Sequence, residues 1–273
     1  MWPMHQGESA SDLLASLRTL VRDAGDAILR LGASGDAIAS RAKADSSPLT
    51  AADLAANAVL VAGLAALTPD IDVVSEEGAA PDEAGATRWL VDPLDGTREF
   101  IRRSGEFTVN VALVVGDTPR LGVVHAPALD LTWWGGSGLG AFRTRGRDDR
   151  AAHAIRVAPL PAADAPVRIV ASRSHLDAET LRFIAGFARH ELLCAGSSLK
   201  LCRVAEGAAD LYPRLAPTSA WDTAAAHAVL EGAGGHLLRL DGAPLRYPRA
   251  TLLNPPFVAV SDPRLLARGM AVK

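Results

Sequence analysis

Residues 89–100 read WLVDPLDGTREF, an apolar run followed by two closely spaced aspartates. The pattern predicts a short strand over 89–91 that delivers Asp92 and Asp95, with Pro93 stiffening the turn between them. Two carboxylates this close repel each other unless a cation lies between them, and hard oxygen ligands suit Mg²⁺ or Ca²⁺ rather than zinc. A lone Asp-x-x-Asp is also typical of an aspartate-rich β-turn, so the interpretation as a metal site depends on the whole string.

The end of this string has the features of an anion site. Gly96 allows the backbone to come close to a ligand and to adopt unusual φ values. Thr97 offers a hydroxyl and an amide where a helix is predicted to begin. Because amides at a helix start face anions, this position is suited to phosphate.

Composition and charge exclude several classes of protein. The chain has 273 residues, 49% hydrophobic and 22% charged, which is enough for one large domain or two tightly packed lobes. A net charge of −3 and a pI of about 6.2 exclude a general basic surface for a nucleic-acid polymer. Cys194 and Cys202 lack metal-finger spacing, which predicts reduced thiols and a cytoplasmic location. We expect neither a signal peptide nor a transmembrane segment, since the most apolar segment, 54–67, is too short to span a bilayer.

The first part of the chain is predicted to begin with helices and continue as a sheet. Helical spacing of apolar residues covers 11–31 and 51–67, and a short buried strand is predicted over 71–74. After residue 100, apolar runs separated by turn residues predict an antiparallel meander. Its predicted strands are 107–115, 120–125, 131–134 and 141–143.

The composition shifts to proline and alanine over 159–166, and a different pattern follows. Strands and helices alternate from there on, which predicts α/β layers. We therefore predict an N-terminal lobe over residues 1–160 and a C-terminal lobe over 161–273. The predicted elements of the second lobe are strands 167–171, 191–195, 210–213, 235–240 and 254–260, and helices 177–189, 199–207 and 221–233.

Other carboxylates occur near the ends of predicted elements. Asp53 lies in the first turn of a helix and Asp222 opens another, where a carboxylate also has the ordinary role of complementing the helix dipole. Glu76 and Glu77 follow the strand over 71–74, where a solvated loop is the ordinary interpretation. If that strand and the strand before Asp92 are neighbours, their ends form one acidic cluster.

Two further patterns carry weaker signals. His227 and Glu231 lie four residues apart on one helix, but one histidine and one glutamate make a poor metal site, so we interpret them as surface or packing residues. The run GSSLK, residues 196–200, opens a helix and is either a capped helix start or a cradle for phosphate or ribose.

These strings together resemble the metal-dependent, lithium-sensitive phosphatases of the inositol monophosphatase superfamily. The likeness runs from about Leu13 to Val260, and the central Asp-x-x-Asp-Gly-Thr string is specific to that superfamily. Arg98 to Phe100, together with GSSLK, favours its bisphosphate nucleotidase branch over the inositol branch. The supporting strings are SPLTAAD (47–53), VSEE (74–77), WLVDPLDGTREFI (89–101), GEFTVN (105–110), SRSH (172–175), GSSLK (196–200), VAEG (204–207), LYPR (211–214) and WDTAAAHAV (221–229).

The resemblance implies an α/β fold, a layered α-β-α-β-α sandwich with the site between its lobes, and a set of metal ligands. The carboxylates of Glu76 and Asp92 and the carbonyl of Leu94 would hold one Mg²⁺. Asp92, Asp95 and Asp222 would hold a second. A third, weaker Mg²⁺ near Glu76 is also implied by the family.

The resemblance also implies catalytic and substrate-binding residues. Asp53 and Thr97 would form the pair that takes a proton from the attacking water. Amides of Gly96 and Thr97 would bind the scissile phosphate. The residues expected to contact the nucleoside and its other phosphate are His175, Ser197, Lys200 and Arg214.

The implied activity is removal of the 3′-phosphate from adenosine 3′,5′-bisphosphate, giving AMP and phosphate, by in-line attack of water. Phosphoadenosine phosphosulfate is a second implied substrate, and both belong to sulfur assimilation. The partner is thus a small nucleotide. A homodimer and peripheral association with the inner membrane are left open. One alternative is an inositol-1-phosphate or broad sugar-phosphate phosphatase, and another is a non-catalytic regulator that binds nucleotide or metal.

Overall fold

The computed structural model describes residues 10–34, 41–42, 48–78, 85–172 and 176–270. The helices within this part of the chain are α1 (Ala10–Ser34), α2 (Ala51–Leu67), α3 (Thr97–Ile101), α4 (Ala178–Ala185), α5 (Leu199–Ala205), α6 (Ala220–Gly232) and α7 (Arg264–Met270), with short 3₁₀ helices at Pro127–Leu129 and Asp149–Ala151. The strands are β1 (Arg41–Ala42), β2 (Pro48–Leu49), β3 (Asp72–Ser75), β4 (Thr87–Asp95), β5 (Thr108–Val115), β6 (Thr118–Ala126), β7 (Leu131–Gly136), β8 (Gly140–Arg145), β9 (His153–Ala154), β10 (Val167–Ser172), β11 (His190–Ala195), β12 (Leu211–Arg214), β13 (Thr218–Ser219), β14 (His236–Arg239), β15 (Leu253–Asn254) and β16 (Phe257–Val260).

These elements stack in five layers. Helices α1 and α2 pack on one face of a seven-stranded sheet, and α6 packs on its other face. Helix α5 lies between α6 and a second, five-stranded sheet, and α4 and α7 cover the far face of that sheet. Three hydrophobic clusters fill the spaces between layers. The predicted α-β-α-β-α sandwich is confirmed.

The seven-stranded sheet has the strand order β3-β4-β5-β6-β7-β8-β9. Its β3–β4 pair is parallel, and the other neighbours pair antiparallel, which confirms the predicted meander. Side chains alternate between faces, as the pleat of a strand requires. Trp89 and Val91 of β4 therefore pack towards α1 and α2, while Leu90 packs towards α5 and α6.

Helix α6 lies very close to this sheet because small residues line both surfaces. A Cβ atom on Gly122 of β6 would lie 2.1 Å from the carbonyl oxygen of Ala225 in α6. Ala224, Ala225 and Ala226 are all buried in the same hydrophobic cluster. Close packing fixes the position of the first turn of α6, which carries Asp222.

The five-stranded sheet has the order β11-β10-β12-β16-β14. Strands β10, β11 and β12 pair in parallel, whereas β16 is antiparallel to both β12 and β14. Each large sheet lies on one side of residue 160, but α6 crosses to the first sheet. The division into lobes 1–160 and 161–273 stays a prediction.

Several predicted boundaries were wrong. The helix predicted over 177–189 ends at Ala185, because the carbonyl of Arg189 already accepts the amide of Val167 in the parallel β10–β11 pair. The strand predicted over 254–260 is two strands, separated by Pro255 and Pro256, which cannot donate to a ladder. Helix α7 was not predicted.

Strand β4 is longer than the predicted strand over 89–91. It continues through Pro93 to Asp95, with a shift in its register against β5 between Asp92 and Asp95. Pro93 has no amide hydrogen to donate, so the hydrogen-bond ladder between β4 and β5 is interrupted there. The register of the strand therefore changes between the two aspartates. The helices bear on a separate prediction, the absence of a transmembrane segment. None of the described helices is both long enough and apolar enough to cross a membrane.

Candidate active site

Three carboxylates from distant parts of the sequence meet at one end of the seven-stranded sheet. Glu76, Asp92 and Asp222 each place an oxygen within 4.8 Å of the others. The β3–β4 pair explains two of them, since Ser75 lies beside Val91 and the amide of Glu76 donates to the carbonyl of Val91 at 3.1 Å. The cluster expected from neighbouring strand ends is therefore present.

Asp222 reaches this cluster from the first turn of α6. Its Oδ2 atom accepts a hydrogen bond of 2.9 Å from the amide of Ser219, which precedes the helix. This is the ordinary helix-start contact considered from the sequence. The same carboxylate also faces Glu76 and Asp92, so both interpretations of Asp222 hold at once.

Burial and mutual repulsion raise the pKa values of these acids. The pKa of Asp92, which is 1% exposed, lies well above its usual range because of burial and then the charges of Glu76, Asp95 and Asp222. Burial, with Asp95 next, raises the pKa of Asp222 to about 8. Such a group favours a divalent cation, which would relieve the repulsion and supply the missing positive charge. The residues therefore fit Mg²⁺.

Asp95 lies at the margin of this cluster rather than inside it. Its Oδ2 atom accepts a hydrogen bond of 2.6 Å from the amide of Ser198, at the start of α5. Burial raises the pKa of Asp95 to about 6, although Lys200 and the Ser198 amide oppose the shift. Asp95 thus links the end of β4 to the start of α5. It also lies close enough to Asp92 and Asp222 to raise their pKa values.

The loop between these aspartates is closed by local hydrogen bonds. The amide of Leu94 donates to Asp92 Oδ1 at 3.0 Å. The carbonyl of Leu94 lies 3.3 Å from Thr97 Oγ1, so this proposed metal ligand shares with Asp53 the single hydrogen of the hydroxyl that is proposed to act in catalysis.

Asp53 and Thr97 are brought together across 44 residues of sequence. Thr97 Oγ1 donates to Asp53 Oδ1 at 3.2 Å. The other oxygen of Asp53 accepts from the amide and the hydroxyl of Thr50, at 2.8 and 2.5 Å, as the capping box of α2. Asp53 is 1% exposed, so these contacts hold the carboxylate in one orientation towards Thr97.

A cavity of about 620 Å³ opens beside the acidic cluster. Its lining includes two groups of residues that are distant from each other in the sequence. We call Leu94, Asp95, Gly96, Thr97 and Arg98 the first wall. The second wall consists of Ser197, Lys200, Tyr212, Arg214 and Asp222.

The glycine of the first wall has a backbone that only glycine adopts easily. Gly96 has φ of 89° and immediately precedes α3. A Cβ atom there would lie 3.3 Å from Ser197 Cβ of the second wall and 3.3 Å from the carbonyl of Glu106. The backbone at Gly96 therefore lies close to Ser197 of the second wall.

The cations of the second wall have protein partners. Lys200 is buried, its ammonium donates to the carbonyl of Ser197, and it lies 5.4 Å from the ring centroid of Tyr212. Burial lowers the pKa of Lys200 to about 8, opposed by the charge of Asp95. Arg214 donates from Nε to the carbonyl of Ala216 at 3.1 Å and from a terminal nitrogen to that of Pro217 at 3.0 Å.

Ser197 has a strained backbone and a hydroxyl without a hydrogen-bond partner among the described residues. Its φ is 44°, in the left-handed region, and its Oγ is buried. A strained residue with an unsatisfied hydroxyl on a cavity wall is typical of a ligand contact. His175, the remaining predicted substrate residue, lies outside the described residues.

Two supporting hydrogen-bond groups were not predicted from the sequence. The hydroxyl of Ser198 bonds to Asn110 at 2.7 Å and to Thr108 at 2.8 Å, which holds the amide that contacts Asp95. Nothing in the local sequence connects these residues, since about 90 positions separate them.

The second group links α6 to the C-terminal part. Tyr247 donates its hydroxyl to Thr223 at 3.1 Å and lies 3.0 Å from His227 Nδ1. Asn254 donates to Thr223 at 3.0 Å and to the carbonyl of Ser219 at 2.7 Å. Of the pair noted in the sequence, His227 is buried and lies 3.3 Å from Glu231, so it is a packing residue.

Known proteins of one family are similar to this chain over most of its length. The model of the inositol monophosphatase family matches residues 10–270, and the chain belongs to this family. Its relatives include 3′(2′),5′-bisphosphate nucleotidase CysQ of Escherichia coli O157:H7, 45% identical over 250 residues that cover 90% of this chain and 98% of that protein. The CysQ of Buchnera aphidicola is 36% identical and covers 90% and 93%.

Solved structures of this family are also similar to the chain. CysQ from Bacteroides thetaiotaomicron superposes with a TM-score of 0.80 at 38% identity, covering 92% of this chain and 98% of that one. An IMPase from Thermotoga maritima has a TM-score of 0.76 at 24% identity, covering 94% and 96%, and shows the fold alone. The family is generally Mg²⁺-dependent, in agreement with the acidic cluster.

Proposed function

We propose that this chain is a Mg²⁺-dependent phosphatase that hydrolyses the 3′-phosphate of adenosine 3′,5′-bisphosphate to give AMP and phosphate. The observation that carries the chemistry is the Thr97 hydroxyl. It donates to the buried Asp53 and lies on the wall of a cavity that also contains Glu76, Asp95 and Asp222. The substrate follows from the CysQ relatives, which are 45% identical over most of both chains.

Two sets of ligands are proposed for Mg²⁺. Glu76, Asp92 and the Leu94 carbonyl form one set, and Asp92, Asp95 and Asp222 form the other. A third, weaker site is proposed beside Glu76. When bound, Mg²⁺ neutralises charge on the phosphate and lowers the pKa of coordinated water.

The proton of the attacking water is removed by the pair on the first wall. Thr97 Oγ1 accepts a proton from water while it passes its own proton to Asp53 Oδ1. The resulting hydroxide attacks phosphorus in line, the bond from phosphorus to O3′ breaks, and the leaving oxygen takes a proton from solvent. Cys202 is not suited to act as a nucleophile, since it is buried and burial raises the pKa of its thiol.

The remaining residues are proposed to bind substrate. Amides of Gly96 and Thr97 would receive the scissile phosphate. His175, Ser197, Lys200 and Arg214 would contact the nucleoside and its second phosphate. We propose a cytoplasmic role in which the enzyme removes a product of sulfur assimilation, with phosphoadenosine phosphosulfate as a second small-molecule substrate.

The test is phosphate release from a panel of substrates with and without Mg²⁺. The panel contains adenosine 3′,5′-bisphosphate, phosphoadenosine phosphosulfate, 3′-AMP and inositol-1-phosphate. We expect the highest kcat/KM for the bisphosphate and loss of all activity when EDTA removes Mg²⁺. A higher kcat/KM for inositol-1-phosphate would contradict the proposed substrate. Activity that survives EDTA would contradict the proposed role of the carboxylates.

A further inference from the structure

The cations around the cavity differ in how much of their hydrogen-bonding capacity is already used. Arg98, Lys200 and Arg214 are the lysine and arginine residues that line it, within the described ranges. A substrate with two phosphates needs positive groups beyond those that serve the scissile phosphate. Which of the three has donors available therefore bears on specificity.

Lys200 and Arg214, on the second wall, both hold backbone carbonyls. Lys200 is only 6% exposed, and its ammonium contacts Ser197 and the Tyr212 ring. Arg214 uses Nε and a terminal nitrogen on the turn that follows β12. Reorienting either side chain towards a ligand would break contacts that shape the second wall.

Arg98 differs from both. It is exposed, it lines the cavity from the first wall, and its side chain makes no hydrogen bond or ion pair with any described residue. All five guanidinium donors are therefore available to a ligand, and a planar guanidinium binds phosphate in a two-pronged geometry. It also directly follows Thr97, whose amide is proposed to receive the scissile phosphate.

We propose that Arg98 binds the second phosphate of the substrate and is the residue of the first wall that selects a bisphosphate over a monophosphate. This inference rests on the proposed function. The 3′-phosphate would lie on the Gly96 and Thr97 amides, and the 5′-phosphate would lie between the Arg98 guanidinium and the second wall.

The experiment measures kcat and KM for adenosine 3′,5′-bisphosphate and for 3′-AMP in wild type, Arg98→Ala, Arg98→Lys and Arg102→Ala, all with Mg²⁺. We expect Arg98→Ala to lower kcat/KM for the bisphosphate by about tenfold, mainly through KM, with a clearly smaller loss on 3′-AMP. Arg98→Lys should recover part of the loss, because lysine restores the charge but not the two-pronged contact.

Arg102 is the matched control. It is also exposed and follows α3, but it does not line the cavity, so Arg102→Ala should resemble wild type on both substrates. Salt gives a second measurement. Because an exposed charge is screened, raising KCl should lower kcat/KM for the bisphosphate more steeply in wild type than in Arg98→Ala.

The possible outcomes separate this inference from the proposed function. A wild type that hydrolyses neither nucleotide would overturn the proposed function and, with it, the inference. A wild type that prefers the bisphosphate, with Arg98→Ala losing equally on both substrates or on neither, would overturn the inference alone. Thermal unfolding of each variant confirms folding, and Arg98→Gln replaces the alanine variant if that one unfolds.

Discussion

The two walls of the cavity are built in different ways. The first wall is one contiguous stretch, Leu94 to Arg98, whose shape is fixed mainly by contacts within a few residues, such as Thr97 with the Leu94 carbonyl. The second wall assembles residues from β12, α5 and α6, and the hydrogen bond from the neighbouring Ser198 amide to Asp95 of the first wall spans 103 residues. The comparison teaches that the shape of the first wall is encoded largely by neighbouring residues, whereas the second wall exists only once the tertiary fold has formed.

The largest effect is expected where the two walls meet. Asp95→Asn removes a proposed Mg²⁺ ligand while it keeps the shape of the side chain. We expect kcat/KM for the bisphosphate to fall by about a thousandfold or more at limiting Mg²⁺. Folding should be retained without metal, because burial disfavours the Asp95 charge that the substitution removes. Wild-type activity in this variant would contradict the metal assignment.

Stability without metal should depend on pH in an unusual direction. The pKa of Asp222 rises from 3.8 to about 8 on folding and that of Asp95 to about 6, so between about pH 4 and pH 8 the folded protein holds protons that the unfolded chain releases. The free energy of unfolding should therefore fall as pH rises through this window, by about 1.4 kcal/mol per pH unit for each such proton.

Urea unfolding across this pH range, with and without Mg²⁺, measures the effect. Mg²⁺ should stabilise the protein strongly at pH 8 and little at pH 5, where protons already neutralise the cluster. Asp222→Asn is the control, and it should flatten the metal-free curve between pH 6 and pH 8. A metal-free stability that rises over this window would mean that the carboxylates are not held together as described.

A smaller effect is expected for the cations of the second wall. Lys200→Ala and Arg214→Ala should each lower kcat/KM for the bisphosphate by about ten- to a hundredfold, with a smaller loss on 3′-AMP. Because both side chains also hold backbone carbonyls, these variants should unfold at a lower temperature than wild type, unlike Arg98→Ala. If kcat/KM falls for neither substrate, Lys200 and Arg214 have a purely structural role.

Much of the first wall could be predicted from the sequence because its determinants are local. The string from Trp89 to Phe100 predicted a strand that leads to Asp92 and Asp95 and then a helix start, and β4 and α3 confirm both elements. Helix α2 was predicted with the bounds that the structure has, since Thr50 and Asp53 form its capping box.

The second wall could not be predicted in the same detail. The resemblance implied that Lys200 and Arg214 contact the substrate. It did not predict that each side chain also donates to a backbone carbonyl. It also gave no reason to pair Asp95 with the amide of Ser198, because a contact across 103 residues depends on how the layers stack. The sequence identifies Arg98 only as part of a family string, whereas the structure shows that it is exposed and lines the cavity.

The smallest effect is expected from the buried group behind α6. Tyr247→Phe removes the hydroxyl that donates to Thr223, one residue after Asp222. The free energy of unfolding should fall by about 1 kcal/mol, and kcat/KM should change less than in the variants of Asp95, Lys200 and Arg214. Urea unfolding with Mg²⁺ present measures the first quantity. A large loss of activity without loss of stability would contradict this expectation and would assign the group a role in positioning Asp222.

The most direct test of the central claim is the rate of phosphate release by Thr97→Val and Thr97→Ser at saturating Mg²⁺ and bisphosphate. Valine keeps the shape of threonine but loses the hydroxyl that bonds to Asp53, whereas serine keeps it. We predict that kcat falls by about a hundred- to ten-thousandfold in Thr97→Val and remains near wild type in Thr97→Ser. Near wild-type kcat in Thr97→Val would contradict the assignment of proton removal to Thr97 and Asp53.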